Sequence, residues 1–375
     1  MISTSSIPMI NETRHFLRSY LFSYLFWADL PLGAFPLLMI YHLTGGKWGA
    51  IVRKILEALC DTLPLTAIFS LPILIWISEI YPWMIPEIAL EPDIIHKKSY
   101  LNPQAFALRT LLYFICWLSL NHFLQRRSRP SDNEHSDERR LSVGNISAGG
   151  LILFVIAVTF ASVDWQMSVE PHWYSTVYGL VYISGQTLQA YAFVLITFSL
   201  VSHKKGYLNR FPKEALRDLG NILLTLVMVW AYLSFMQYLI IWSGNLPHEV
   251  TWFNHRTQGG WQWLALLLVL FQFLAPFLAL LLRGTKDNPL RLTALGLLIF
   301  LIRIVDHYWM LMPGLFPEGF DLHWDAVLCW VGMGAIWLAF FIRRFRKQSL
   351  FAEQDQDWPL PSNPPITPDG EPFHA

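Results

Sequence analysis

The sequence is poor in charged residues and in cysteine. Charged residues make up 14% of the 375 residues, whereas typical soluble domains carry about 25%. The three cysteines are far apart in the sequence, and the chain has neither a CxxC nor a CxxCH motif. These absences exclude the usual signatures of an iron–sulfur cluster and of covalently attached haem. Acidic and basic residues balance at 27 each, so the net charge gives no indication of nucleic-acid binding.

Hydrophobic residues make up 54% of the chain, and 17 tryptophans suit the aromatic belts of a multi-pass membrane protein. A membrane-spanning helix needs about 20 mostly apolar residues. The apolar runs are continuous rather than alternating, which excludes a transmembrane β-barrel. The sequence therefore predicts an all-α polytopic membrane protein. Nine spans are predicted, at residues 21–43, 61–80, 105–124, 147–163, 175–201, 219–242, 261–282, 290–312 and 324–342.

Basic residues predict the orientation. The positive-inside rule places Lys- and Arg-rich connections in the cytoplasm. This puts the C-terminus in the cytoplasm and the N-terminus in the periplasm of a bacterial inner membrane. Such an N-terminus is either translocated without a signal peptide, or a preceding helix is missing. Five connections carry 20 of the 27 basic residues, within 47–54, 126–140, 204–217, 283–291 and 343–347.

Two cytoplasmic stretches have the composition of disordered segments. Residues 125–142 are rich in charges of both signs, and residues 348–375 are rich in proline and acid. The membrane domain is accordingly predicted at residues 1–347. The connections 164–174, 243–260 and 313–323 combine Trp, Pro, Gly and His with acidic residues, which indicates ordered loops that pack against something.

The eighth predicted span contains three ionisable residues, Arg303, Asp306 and His307. Spacings of three and four residues place them on one helix face, and Arg303 lies about 20 Å in from Leu290. A charge inside a bilayer is costly and by default marks a pathway or binding site. The three side chains can be a self-neutralising structural pair, a proton-relay or quinone-contact site, or side chains that snorkel to the membrane surface.

Asp29 lies about 12 Å from one end of the first span, which is a depth similar to that of Arg303. Pro31 and Pro36 remove backbone donors there, and we expect them to loosen the helix. A carboxylate beside a broken membrane helix is a candidate for proton handling. The alternative is a structural ion pair with an arginine elsewhere in the bundle.

Three glutamines also lie near the middle of predicted spans, Gln186 and Gln189 in span five and Gln272 in span seven. Amides in membranes often hold helices together, and the alternative is that they line a quinone or water cavity. Haem b is not expected, because it needs paired histidines on facing helices. Only His122 and His307 fall inside spans, and they lie toward opposite faces.

Three segments resemble a known family. They are DWQMSVEPHWYSTVYG at 164–179, the 218–263 block that begins DLGNILLTLVMVW and ends GGWQW, and RIVDHYW at 303–309. Together they resemble the short membrane subunit of alternative complex III, a quinol:cytochrome c oxidoreductase. This "quinone-binding subunit 2" type is related to the membrane anchors of polysulfide reductase. The resemblance covers about residues 16–345.

The resemblance implies two four-helix bundles, formed by spans one to four and five to eight, plus a flanking helix. It also implies partners: a larger paralogous membrane subunit, an iron–sulfur subunit and c-type cytochromes, which would hold the clusters and the haem c. On this basis the chain itself holds no metal, and it contributes a proton path, a quinone pocket or only a scaffold.

The predicted function is therefore a membrane subunit of a respiratory quinol oxidoreductase, in which Asp29, Arg303, Asp306 and His307 relay protons. Independent secondary transport is one alternative, since polar groups at the midplane are typical of transporters, but the chain has no visible internal repeat. A purely structural scaffold for redox subunits is the other. The loops are predicted to dock the partners through Trp165, His172, Trp173, Asn245, Trp252 and Arg256.

Overall fold

A computed structural model describes residues 6–128, 136–204, 213–316, 319–320 and 323–347. In these residues all regular structure is helical, as the continuous apolar runs predict. The α-helices are α1 (Ser6–Thr44), α2 (Lys47–Cys60), α3 (Leu63–Phe69), α4 (Leu71–Ile75), α5 (Ile77–Ile80), α6 (Pro86–Ala89), α7 (Pro92–Lys97), α8 (Pro103–Ser128), α9 (Ser136–Trp165), α10 (Tyr178–Lys204), α11 (Lys213–Gly244), α12 (Pro247–Arg256), α13 (Trp261–Leu267), α14 (Ala275–Leu281), α15 (Arg283–Lys286), α16 (Pro289–Leu315) and α17 (Trp324–Lys347).

Eight helical segments of the described chain are long and apolar enough to cross a membrane. The second of them runs from Ile51 to Ile75. It begins ten residues before the predicted span at 61–80, and it is divided among α2, α3 and α4. The eighth predicted span lies in α16, a 27-residue helix that is not among the eight. An integral membrane protein with an all-α fold is thus confirmed.

Helix α1 is the axis of the molecule. The most apolar 18-residue stretch of its span, Glu12–Thr44, is entirely buried inside the bundle, and it is apolar on every side, as a buried helix must be. It packs on α10 so closely that a Cβ at Gly33 would lie 2.0 Å from the backbone oxygen of Gln186. The expectation that Pro31 and Pro36 break this helix is wrong, since α1 is continuous through both. Neighbouring helices support it along its length, and Gln189 donates to the Phe26 carbonyl at 2.8 Å.

The helices form two bundles around the α1–α10 contact. The first comprises α1, the α2–α4 span, α8 and α9, and the second comprises α10, α11, the α13–α14 span and α16. Helix α17 flanks them and packs on α1 and α2, where Trp27 donates to the Trp330 carbonyl at 3.0 Å. The predicted arrangement of two four-helix bundles with a flanking helix is confirmed.

We call the end of the bundle with the Lys- and Arg-rich connections the basic end, and the end with segments 166–177 and 245–260 the aromatic end. At the basic end, α8 continues to Ser128 and α9 begins at Ser136, so the disorder predicted over 125–142 does not extend over that whole stretch. Residues 129–135, and the tail predicted as disordered at 348–375, lie outside the described residues.

Candidate functional site

A cluster of buried polar side chains lies where α1, α10 and α16 meet. We call it the central cluster, and each of its members is at most 4% exposed. The seven residues that the sequence singles out as intramembrane candidates all belong to it. They are Asp29, Gln186, Gln189, Gln272, Arg303, Asp306 and His307.

Helix α16 supplies the charged face of the central cluster. Arg303 contacts Asp306 one turn along the helix, and its other terminal nitrogen lies 3.0 Å from His307 Nε2 and 3.6 Å from Asp29 Oδ2. The guanidinium reaches α1 because residue 185 of α10 is glycine. A Cβ at Gly185 would lie 2.7 Å from that guanidinium nitrogen.

His307 has three polar partners in this arrangement. Its Nε2 lies 2.7 Å from Asp29 Oδ2, 3.1 Å from Gln189 Oε1 and 3.0 Å from an Arg303 nitrogen. A protonated Nε2 donates to the two oxygens, whereas an unprotonated Nε2 accepts from Arg303. One ring nitrogen cannot do both at once, so two hydrogen-bond patterns compete at this atom.

Two amides hold the carboxylates in place. Gln186 Nε2 donates to Asp29 Oδ1 at 2.7 Å, and Gln272 Nε2 donates to Asp306 Oδ2 at 3.1 Å. Gln272 lies in a π-helical segment, Leu268–Leu274, between α13 and α14. Such wider turns are rare and frequently occur at functional sites. The sequence gives no signal of this π-helix.

The charges of the central cluster do not balance by themselves. Asp29 and Asp306 contribute two carboxylates, and Arg303 contributes one guanidinium. A net negative charge is costly inside a protein, and a single proton on His307 or on a carboxylate removes it. His307 Nε2 and Asp29 Oδ2 lie 2.7 Å apart, within hydrogen-bond distance of each other.

A cavity of about 770 Å³ adjoins the cluster, between α10, α11, α12, the α13–α14 span and α16. Arg303, Asp306 and His307 form part of its wall, and most of the rest is aromatic or aliphatic. Tyr232 and Phe235 on the α11 side line the cavity and are more than 60% exposed, so the cavity is open on this side. The cavity therefore reaches the surface between α11 and α13, which faces lipid if these apolar helices span a membrane.

A second ionic group closes the cavity toward the aromatic end. Arg256, which is 1% exposed, donates to Glu170 Oε1 and to the Met310 carbonyl, each at 2.7 Å. It also stacks over the Trp252 ring, with its guanidinium carbon 3.6 Å from the ring centre. Burial by itself raises the pKa of the Glu170 carboxyl. The charges and hydrogen bonds of Arg256 and His255 have a larger, opposite effect, so this pKa lies below its ordinary value.

Of the six predicted docking residues, four are buried within the chain's own fold, namely Trp165, Trp173, Trp252 and Arg256. They pack the aromatic end and the cavity wall within this chain, and their docking role stays a prediction. His172 is exposed and lies 3.3 Å from Glu91, and Asn245 is exposed at the end of α11. For these two, a docking role stays a prediction.

The chain matches no model of a known protein family, and no curated protein matches it significantly. Within the described residues, no group of three or more His, Cys, Asp or Glu side chains is arranged to hold a metal ion. The expectation that metals reside in partner subunits stays a prediction.

Sequence reasoning missed a second buried ion pair, in the first bundle. Asp164 is 0% exposed, and Arg109 donates to both of its oxygens at 2.9 Å. Tyr113 adds a hydrogen bond of 2.6 Å. The only signal in the sequence is that Arg109 and Asp164 both occur at span ends, where an interfacial position is sufficient explanation. We call these three residues the Asp164 cluster.

Proposed function

We propose that this chain is the membrane subunit of a respiratory quinol oxidoreductase, that its cavity binds a quinol, and that the central cluster receives the quinol's protons. One observation carries the proposal: the lipid-side cavity has Arg303, Asp306 and His307 in a wall that is otherwise largely apolar. The resemblance of residues 164–179, 218–263 and 303–309 to a subunit of alternative complex III supports it.

The size and lining of the cavity suit a ring with an apolar tail. Small-molecule sites are typically about 300–1,000 Å³, mostly apolar, with a few placed polar groups. Trp230, Trp252 and Phe273 offer aromatic surface for the ring. Because the cavity reaches the surface beside α11, a ligand dissolved in the membrane can enter without crossing water.

The cluster can accept protons one at a time. A quinol that becomes a quinone releases two protons and two electrons. His307 takes a proton from a quinol hydroxyl and passes it to Asp29, whose Oδ2 lies 2.7 Å away, and His307 is then free to take the second proton. The electrons go to a one-electron carrier, an iron–sulfur cluster or a haem, in a partner subunit.

Arg303 and the glutamines are positioning residues in this scheme. Arg303 contacts Asp306 on the same face of α16, and Gln186 and Gln272 fix the two carboxylates. Such preorganisation keeps the accepting groups aligned while the charge moves.

The test is co-purification in mild detergent from native membranes, with a tag at the C-terminus, followed by mass spectrometry and a reduced-minus-oxidised spectrum. We expect a c-type haem spectrum, an iron–sulfur subunit and a larger membrane paralogue in the eluate, together with quinol-dependent reduction of an acceptor. A folded, colourless chain that purifies alone would contradict the proposal, and transport assays in liposomes would then be the next step.

A further inference from the structure

We infer that the cavity contains a second polar site, formed by Gln166, Gln237 and Trp309, that binds another hydroxyl group of the same ligand. This inference rests on the proposed function and specifies its ligand: a ring that carries two hydroxyl groups, one toward the central cluster and one toward the second polar site. The sequence gives no indication of these three residues as a group.

Five side chains that line the cavity have a buried polar atom without a hydrogen-bond partner. Two of them, Tyr182 and Arg303, interact with the central cluster. The other three atoms are Gln166 Oε1, Gln237 Oε1 and Trp309 Nε1. Gln166 and Gln237 are each only 4% exposed. Buried polar groups in proteins are nearly always paired, so three free ones around a single cavity indicate that a ligand completes them.

The second polar site lies nearer the aromatic end than the central cluster does. Along α16, Trp309 comes six residues after Arg303 and two after His307, rises of about 9 Å and about 3 Å. Gln237 lies about 10 Å from the aromatic end of α11 by the same rise, and Gln166 directly follows α9. A ligand that contacts both sites needs polar atoms at two positions.

The free atoms select a hydroxyl group. The Gln166 and Gln237 carbonyl oxygens accept hydrogen bonds, while the Trp309 N–H donates one. A hydroxyl can donate and accept, and it can also pair with either end of an amide if a glutamine side chain turns over. An ether oxygen only accepts, so it leaves the glutamine oxygens unpaired.

Tyr182 lies one helical turn before Gln186 on α10. Its phenolic oxygen makes no hydrogen bond of normal geometry, although it is close enough to Asp29 and Gln186 to interact with them. Its side chain also lines the cavity. Tyr182 therefore connects the cavity to the central cluster without belonging to the second polar site.

The experiment measures binding of four probes to the purified protein under argon: decylhydroquinone, its two monomethyl ethers and its dimethyl ether. Quenching of the fluorescence of the tryptophans in the cavity wall reports binding, so no turnover is needed. We expect each monomethylation to weaken binding by about tenfold, as for the loss of one hydrogen bond to a buried group.

Variants assign the contact to the second polar site. In Gln237→Leu and Gln166→Leu, decylhydroquinone should bind more weakly, and the effect of methylating one of its two hydroxyls should disappear. The other monomethyl ether should retain its tenfold effect. Gln104→Leu, at an exposed glutamine on α8 that does not line the cavity, should match the wild type. Gln237→Asn keeps an amide at this position. Part of the difference in affinity between decylhydroquinone and the affected monomethyl ether should therefore remain.

The outcomes separate this inference from the proposed function. If decylhydroquinone does not bind the folded wild type, the proposed quinol site is wrong. If it binds, but Gln237→Leu and Gln166→Leu preserve both monomethyl effects, the central cluster alone recognises the ligand. The second polar site would then hold only water, and this inference would be overturned.

Discussion

Two of the buried ionic groups in the described part of the chain, the central cluster and the Asp164 cluster, differ in how completely their members are paired. Both oxygens of Asp164 receive hydrogen bonds, from Arg109 and Tyr113, and no cavity residue belongs to this cluster. The central cluster instead has two carboxylates for one guanidinium, a histidine with competing partners, and a cavity beside it.

This difference separates a structural ion pair from a candidate reaction site. A buried charge is not by itself a sign of function, because complete pairing can stabilise it within the fold. Asp164 meets that description, which indicates that it fastens α8 to α9. A site that must take up and release protons needs the incomplete pairing of the central cluster.

The largest expected effect comes from breaking the complete pair. Asp164→Asn should lower the free energy of unfolding by about 3–5 kcal/mol, because it leaves the Arg109 charge without its partner. Thermal unfolding in detergent, followed by tryptophan fluorescence, measures this. Asp93→Asn on exposed α7 is the control and should have no effect. A loss below about 1 kcal/mol would mean that the pairing is not structural.

In the central cluster, the effect should appear in activity. Asp306→Asn should lower quinol-dependent turnover of the assembled complex by about 100-fold, in the range typical of acid–base groups. Assembly should persist, since the amide still bonds to Gln272 and the Arg303 charge still faces Asp29. Unchanged turnover with normal assembly would remove Asp306 from the relay.

Glycine variants test whether the space that Gly185 leaves for Arg303 contributes to stability. Gly185→Ala should cost about 1–3 kcal/mol, as overpacking generally does, because the new methyl group would displace the guanidinium. Gly149→Ala on α9 has no atom within 4 Å of the new Cβ and should gain up to about 1 kcal/mol of helix propensity. Equal melting temperatures for the two variants would contradict the close packing at Gly185.

Much of this architecture follows from the sequence because hydrophobic length and helical spacing are local properties. The positions of Arg303, Asp306 and His307 on one face of α16 needed only the helical repeat. Their meeting with Asp29 did not follow, because it depends on how α1 crosses α16 and α10. The π-helix around Gln272 and the cavity likewise arise from packing between helices that are distant in the sequence.

The smallest expected effect is a pH dependence at the aromatic end. Because the pKa of Glu170 in the folded protein lies below its ordinary value of 4.5, its ionised form stabilises the fold. That contribution is complete above about pH 4.5 and is lost as the pH falls through the lowered value. Melting temperatures between pH 6 and pH 3 should therefore fall less for Glu170→Gln than for the wild type. An equal fall in melting temperature for Glu170→Gln and the wild type would show that the pair of Glu170 with Arg256 does not stabilise the fold.

The central position of α1 has a consequence for biogenesis. This helix is synthesised early, yet the partners of Asp29 on α16 follow more than 270 residues later, roughly half a minute at ordinary rates of translation. During that interval a carboxyl group must wait in or near the bilayer without Arg303 or His307. Asp29 therefore makes early steps of insertion depend on late ones, and a nascent chain that stops before α16 carries an uncompensated carboxyl that quality-control proteases can recognise.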